Sequence, residues 1–184
     1  MEIILVRHGE ASASWERSTD PGLSNLGKKQ AEECANTLLK IKNIESFELI
    51  SSPLSRAKET GEALSKNLNN KIIIKPLFAE IPSPGINLQD RKAWLQDIFS
   101  KNLIDLETPQ KKWYRKIISE LKEIKKPSII FSHFMVINII VSHLTNNKEV
   151  VSFYPDNCSI TKIEKENGEI RLINLGAQLQ TIIN

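Results

Sequence analysis

"EIILVRHGE", Glu2 to Glu10, sets four apolar residues in a row and then runs arginine, histidine, glycine and glutamate straight into a turn. An apolar run of strand length predicts a buried β-strand. A charged pair does not belong inside such a sheet. It belongs at the carboxyl edge, which is where open α/β sheets hold their ligands. The reading of the whole chain turns on whether other strands end the same way.

Three further runs read as strands: Phe47 to Ser51, Lys71 to Lys75 and Ser128 to Ser132. Helical spacing separates them. Leu23 to Lys42 carries Leu26, Ala31, Cys34, Leu38 and Ile41 at helical intervals, with Ser24 or Asn25 as cap. Ser52-Pro53 reads as the start of a helix running to Leu68. Gln89 to Lys101, Thr108 to Ile124 and Phe134 to Leu144 read as helices too. Near the end, Ser159 to Glu164 and Glu169 to Asn174 flank "KENG", a hairpin signal. Strands alternating with helices predict an α/β fold, with right-handed crossovers and a mostly parallel sheet covered on both faces. The hairpin adds at least one antiparallel strand. Pro76 to Leu88 is broken by prolines and a glycine, and it interrupts the rhythm. The expectation is one domain over residues 1–184, with a cap insertion at about 76–109 lying over the site.

Composition narrows the function. The chain has 184 residues, 26% of them charged, and a net charge of +3 without any block of like charges. That disfavours nucleic acid, which calls for a concentrated basic face, and suits a small anionic ligand. Two cysteines, Cys34 and Cys158, show neither a disulfide framework nor metal spacing and read as packed thiols of a reducing compartment. The N-terminus reads as a strand rather than a signal peptide, and Phe134 to Leu144 is too short and too interrupted to span a membrane. A cytoplasmic protein without membrane contact is expected. Oligomeric state is left open.

Three strand ends carry unusual residues: Arg7-His8-Gly9, then Ser52 with Arg56 in the following helix turn, then Ser132-His133. Taken singly, Arg56 reads as a solvated helix residue and His133 as a packed core histidine. Together they put positive charge at one sheet edge, and Arg56 adds it at the positive end of a helix dipole, where a cation is unfavourable. A bound anion relieves all of this at once, and helix N-termini supply further N–H donors. The physical reading is a phosphate site.

The same stretches resemble the histidine phosphatase superfamily, the phosphoglycerate mutase-like proteins. "LVRHGE" is similar to the family's nucleophile motif and "DPGLSNLGKKQA", Asp20 to Ala31, to the segment after it. "SSPLSRAKET", Ser51 to Thr60, resembles its second phosphate-binding motif, and "IIFSHFMVIN", Ile129 to Asn138, the region of its second histidine. The resemblance runs over nearly the whole chain and implies a three-layer α/β sandwich.

It also implies roles. His8 would be the nucleophile, its neutral imidazole forming a phosphohistidine. Gly9 would allow a tight turn and present a carbonyl to the other ring nitrogen. Arg7 and Arg56 would grip the phosphoryl oxygens, and His133, protonated, would be a third cation. Such a cage needs neither metal nor cofactor. Glu80, in "LFAEIPSP", would be the general acid, with Asp90 as fallback, because the family's glycine-tryptophan-glutamate-glycine signature is absent here. Ser14 would lend a hydroxyl to phosphate; Glu10 and Asp20 would serve structure. Phe134 stands where many relatives carry glycine and would narrow the pocket or wall it with apolar surface. His143 reads as structural, and Trp15, Trp94 and Trp113 as core or cap. A metal-independent phosphomonoesterase acting on a small phosphorylated substrate is expected. A phosphoglycerate mutase and a non-catalytic phosphate-binding module are the alternatives.

Overall fold

Along the first strand burial is complete from Ile3 to Val6, but the partners alternate. Ile3 and Leu5 join one apolar cluster; Ile4 and Val6 join another. Side chains of a strand point alternately to opposite faces, so two separate clusters mean that the sheet is covered on both sides. The same split divides Ile50 from Leu49, and Ile130 from Ile129 and Phe131.

The computed structural model describes residues 1–14 and 18–179. In chain order these form β1 (Glu2–Arg7), α1 (Asn25–Leu38), β2 (Glu48–Ser51), α2 (Ser55–Leu68), β3 (Ile72–Ile74), α3 (Arg91–Phe99), α4 (Thr108–Glu123), β4 (Ser128–Ser132), α5 (Phe134–Leu144), β5 (Ile160–Glu166) and β6 (Glu169–Asn174). One six-stranded sheet has the order β3-β2-β4-β1-β5-β6. The first four strands in that order pair in parallel, and β5 is antiparallel to both of its neighbours. Helices α1 and α2 cover one face through Cys34, Leu38 and Leu64. Helices α4 and α5 cover the other through Ile117, Leu121, Ile137 and Val141. This is the three-layer α/β sandwich.

Several boundaries differ from expectation, each for a local reason. The first helix stops at Leu38, and Asn43 then takes the left-handed conformation. Its buried stripe is Gly27, Ala31, Cys34, Ala35 and Leu38, while Leu26 is exposed. Glycine takes the stripe position because a Cβ at Gly27 would sit 2.1 Å from the carbonyl oxygen of Glu10. The second helix does not begin at Ser52-Pro53. Leu54 is its cap residue, and Asp20 reaches in from the first loop to accept from the backbone N–H of Ser55 at 2.7 Å and from its hydroxyl at 2.8 Å. An acidic group from elsewhere in the chain thus caps the helix. The hairpin strand runs on to Glu166, leaving a two-residue turn in which Asn167 (φ 51°) and Gly168 (φ 86°) are both left-handed.

Between β3 and α4 the chain forms no strand. Leu88–Asp90 makes a 3₁₀ turn, so α3 starts at Arg91 rather than Gln89. Ile98 anchors α3 in the core, and Trp94, Leu95 and Phe99 pack against it while half-buried. Trp113 is buried and donates Nε1–H to the Leu77 carbonyl at 3.2 Å, and His143 Nδ1 pairs with the Tyr114 hydroxyl at 2.7 Å. Both are structural, as expected; Trp15 lies outside the described residues. The cysteines are free thiols, with Cys34 buried and Cys158 half-buried. No helix among the described residues is long and apolar enough to cross a membrane.

Candidate active site

Sheet register builds the site. Arg7 stands opposite Ser132, and Ser51 opposite Phe131. The adjacent strands β2, β4 and β1 therefore end at one level. The hydrogen bonds continue one step past the strands, from His8 N–H to the Ser132 carbonyl and from Ser52 N–H to the Phe131 carbonyl, each at 3.0 Å. Ser52, His133 and His8 leave the sheet side by side. The two imidazole centroids are 5.2 Å apart.

His8 is held at both ring nitrogens. Nδ1–H donates to the Gly9 carbonyl at 2.7 Å, and Nε2 accepts from Nε–H of Arg56 at 3.1 Å. The first contact requires the proton on Nδ1, so Nε2 carries the lone pair. Burial is the main cause that pushes the His8 pKa well below its usual value, followed by the charges of Arg56 and Arg7. Neutral imidazole is what a nitrogen nucleophile needs.

Gly9 presents its carbonyl to the His8 ring as expected, and its missing side chain serves a second purpose. It does not take the left-handed conformation. A Cβ there would lie 2.6 Å from the carbonyl oxygen of Gly27. The two glycines let the loop after β1 lie directly on the first turn of α1. Ser24 ties the same junction, accepting from Gly27 N–H at 2.9 Å and donating to Glu10 at 2.6 Å. Glu10 is thus structural, as is Asp20.

Arg56 is only 2% exposed, and Thr60 one turn further along α2 links it to the nucleophile loop. The Thr60 hydroxyl accepts from Gly9 N–H at 3.0 Å and donates to the Arg56 carbonyl at 2.7 Å. Arg7 donates to the Pro155 carbonyl at 2.7 Å and lies 5.5 Å from the ring centre of Phe134. Burial lowers the pKa of both arginines from the ordinary value, with Glu80 opposing. Both stay cationic at neutral pH.

His133 is fully buried, with Nε2 2.7 Å from the Ser52 hydroxyl. Burial first, then His8, Arg56 and Arg7, hold its pKa well below the usual value, so the protein alone keeps it neutral. A charged imidazolium beside His8, Arg56 and Arg7 is disfavoured by both its desolvation and its neighbours.

Glu80 reaches the same place from the segment after β3. Its Oε1 accepts from the N–H groups of Ile81 at 3.1 Å and Met135 at 3.2 Å, the latter in the first turn of α5. Burial raises its pKa to about 7, against the opposing pull of Arg56, the two N–H groups and Arg7. Asp90 is exposed in its 3₁₀ turn and lines neither cavity described next. Among the described residues, Arg7 Nε, Glu80 Oε2 and His133 Nδ1 are buried without a hydrogen-bond partner. Buried polar groups of this kind are seldom left unsatisfied, and three at one site point to a ligand.

Two cavities meet at Glu80. One, about 220 Å³, is bordered by Arg56 and Arg91. The other, about 340 Å³, is bordered by Arg7, Ser14, Leu95, Phe99, Phe134 and Tyr154. The structure thus brings His8, Arg7, Arg56, His133 and Glu80 together and sets Ser14 on the rim. Sequence reasoning missed Thr60 and Arg91 as neighbours of the site, and Ser52 as the partner of His133. Their sequence signal was only a position near a strand end or helix start.

Comparison with known proteins agrees with this geometry. Residues 3–178 match the Histidine phosphatase superfamily (branch 1). A protein named "Probable phosphoglycerate mutase GpmB" from Escherichia fergusonii is 24% identical over 131 residues, 69% of this chain and 54% of the relative. This chain spans about half the length of the curated relatives it matches. The phosphoserine phosphatase of Entamoeba histolytica, solved with 3-phosphoglyceric acid, superposes with a TM-score of 0.73 at 22% identity, covering 96% of this chain and 97% of that one. A mycobacterial glucosyl-3-phosphoglycerate phosphatase solved with VO3 gives 0.73 at 18% identity, covering 96% and 99%. The chain belongs to the histidine phosphatase superfamily.

Proposed function

We propose that this protein is a metal-independent phosphomonoesterase that works through a phosphohistidine on His8. The observation that carries the reading is the pair of contacts on the His8 ring, which fix the lone pair on Nε2 beside Arg56. An incoming phosphoryl group takes over the Arg56 N–H and frees that lone pair for attack on phosphorus.

In the first step the Nε2–P bond forms as the ester P–O bond breaks, and protonated Glu80 gives its proton to the leaving alkoxide. In the second step the Glu80 carboxylate takes a proton from water. The water oxygen bonds to phosphorus, the P–N bond breaks, and inorganic phosphate leaves with His8 neutral again. An acid with a pKa of about 7 is matched to both halves of this cycle near neutral pH. Arg7 and Arg56 hold the equatorial oxygens, and Ser14 adds a hydroxyl at the rim. With the Ser52 hydroxyl donating to Nε2 of His133, Nδ1–H of that neutral ring is the further donor. Preorganised donors of this kind stabilise the charge that builds up in the transition state. The segment of about 76–109 acts as the cap that brings Glu80 and the cavity walls to the cage.

The names of the curated relatives favour one other reading, a phosphoglycerate mutase that keeps the phosphoryl group and returns it to the product. A panel of phosphate monoesters, assayed in EDTA with wild-type and Glu80→Gln protein, separates the two. Release of inorganic phosphate with an acid-labile, base-stable phosphoprotein intermediate supports the phosphatase. Interconversion of phosphoglycerates without net phosphate release supports the mutase. Loss of turnover in EDTA that magnesium restores overturns the metal-independent mechanism.

A further inference from the structure

The phosphoryl cage defines where the reaction occurs, and the larger cavity beside it defines what else the substrate carries. Phe99 and Phe134 stack with centroids 5.2 Å apart and an interplanar angle of 25°. Tyr154 also packs on Phe134, with centroids 5.7 Å apart and a tilt of 56°. Leu95 completes the wall. The Arg7 guanidinium, 5.5 Å from the Phe134 ring centre, binds the wall to the cage, so the apolar surface begins one side chain away from the phosphoryl grip. This surface comes from three separate segments, α3, the start of α5 and the strand-free stretch before β5. Tyr154 in it is 43% exposed.

We propose that this cavity is the leaving-group subsite and that it selects phosphate monoesters whose alcohol bears an aromatic ring close to the ester oxygen. The inference rests on the phosphatase reading of the same site. Its volume of about 340 Å³ is of ligand size. Aromatic side chains around a cavity take a planar ring by stacked or edge contacts. A carboxylate or a polyhydroxylated chain set against the Phe and Leu side chains loses its hydration there. The charged groups at the inner end, Arg7 and Glu80, are committed to the reaction, and Lys92 lies on the exposed outer rim. The smaller cavity with Arg91 is where a second anionic group of a substrate would go instead, so the two cavities make opposite predictions.

The test compares phenethyl phosphate with propyl phosphate, both esters of primary alcohols, and with phosphoglycerate. Burying a phenyl group favours phenethyl phosphate in kcat/KM over propyl phosphate by about 10- to 100-fold. In Phe134→Ala and Phe99→Ala the ratio between the two esters falls towards unity. Tyr154→Ala, changed at a partly exposed position that the core does not depend on, lowers it by a smaller factor. Equal rates on the two alkyl esters, or a preference for phosphoglycerate, overturn the subsite while leaving the phosphatase reading in place. Absence of turnover on every ester overturns the phosphatase reading instead. In that case calorimetric binding of phenethylphosphonate against propylphosphonate still decides the subsite: tighter binding of the former supports it, and equal binding overturns it.

Discussion

The cage and the walls of the cleft are built in different ways. His8, Arg56 and His133 each leave the end of a strand or lie in the first turn of the helix after it, are buried, and are held by side-chain hydrogen bonds, while Arg7 ends β1 half-buried with its guanidinium on the Pro155 carbonyl. The walls come mostly from α3 and the stretch before β5, where no sheet register sets position, with Phe134 joining them from the start of α5 directly after β4, and they are half-buried or exposed. Glu80 joins the two, arriving from the strand-free segment but held on the Met135 N–H at the start of α5. On the proposed function, chemistry sits mainly where backbone hydrogen bonds dictate geometry, and selectivity where side-chain packing can change cheaply. Sites on rigid elements are held closer to productive geometry than sites on loops.

That contrast predicts a ranking of effects. The largest belongs to the nucleophile: His8→Ala should lower kcat by about a thousandfold or more. Phosphate binding measured by calorimetry should largely persist, because both arginines remain. An inactive protein that has also lost the anion would put His8 in binding rather than in bond making. Next comes Glu80→Gln, with a loss in kcat of about 10²- to 10⁴-fold. The pH profile is the sharper readout. Wild-type activity should decline above about 7 as Glu80 gives up its proton, and the variant should show no such limb. The acid limb should lie below the usual histidine range, since the pKa of His8 is depressed.

The same substitution carries a stability prediction. Glu80 has its folded pKa raised from 4.5 to about 7, so its contribution is fully present below 4.5 and is lost as pH rises through about 7. Up to roughly 3 kcal/mol is at stake for a shift of this size. The gap in melting temperature between Glu80→Gln and wild type should therefore shift in favour of the variant from pH 5 to pH 8. A gap independent of pH would mean that the carboxyl is not held in its protonated form by burial.

Smaller still is Ser52→Ala. It removes the hydroxyl that orients His133, and about a tenfold loss in kcat is expected, of the order seen when a partner behind a reacting group is removed. The residual activity should keep the wild-type pH profile, because Ser52 does not titrate. If Ser52→Ala proved as damaging as His8→Ala, the cage would be less independent of its supports than the strand-end geometry implies.

Much of this was legible in the chain. Uniform apolar strands ending in Arg7-His8 and Ser132-His133 signalled a parallel sheet with its ligand edge charged, and the helical intervals between them signalled two covering layers. The cap of α2 was not legible. Ser52-Pro53 has the local form of a helix start, yet Ser52 turns to His133, and Asp20 caps the helix from 35 residues away in sequence. The effect of burial on His133 was not legible either. Charge near an anion site suggests a cation, whereas complete burial among other basic groups keeps the ring neutral.

Periodicity, turn chemistry and the residues at strand ends are local properties, so the amino-acid sequence alone determined the layers, the strand edge that holds the site and the four basic residues on it. Register, burial and close approach arise only when segments distant in sequence pack together. They decided that Nε2 of His8 faces Arg56, that Gly9 and Gly27 touch backbone to backbone, and that an otherwise ordinary glutamate becomes an acid with a pKa of about 7. Desolvation and steric contact depend on what surrounds a group in space, which the order of residues along the chain does not specify.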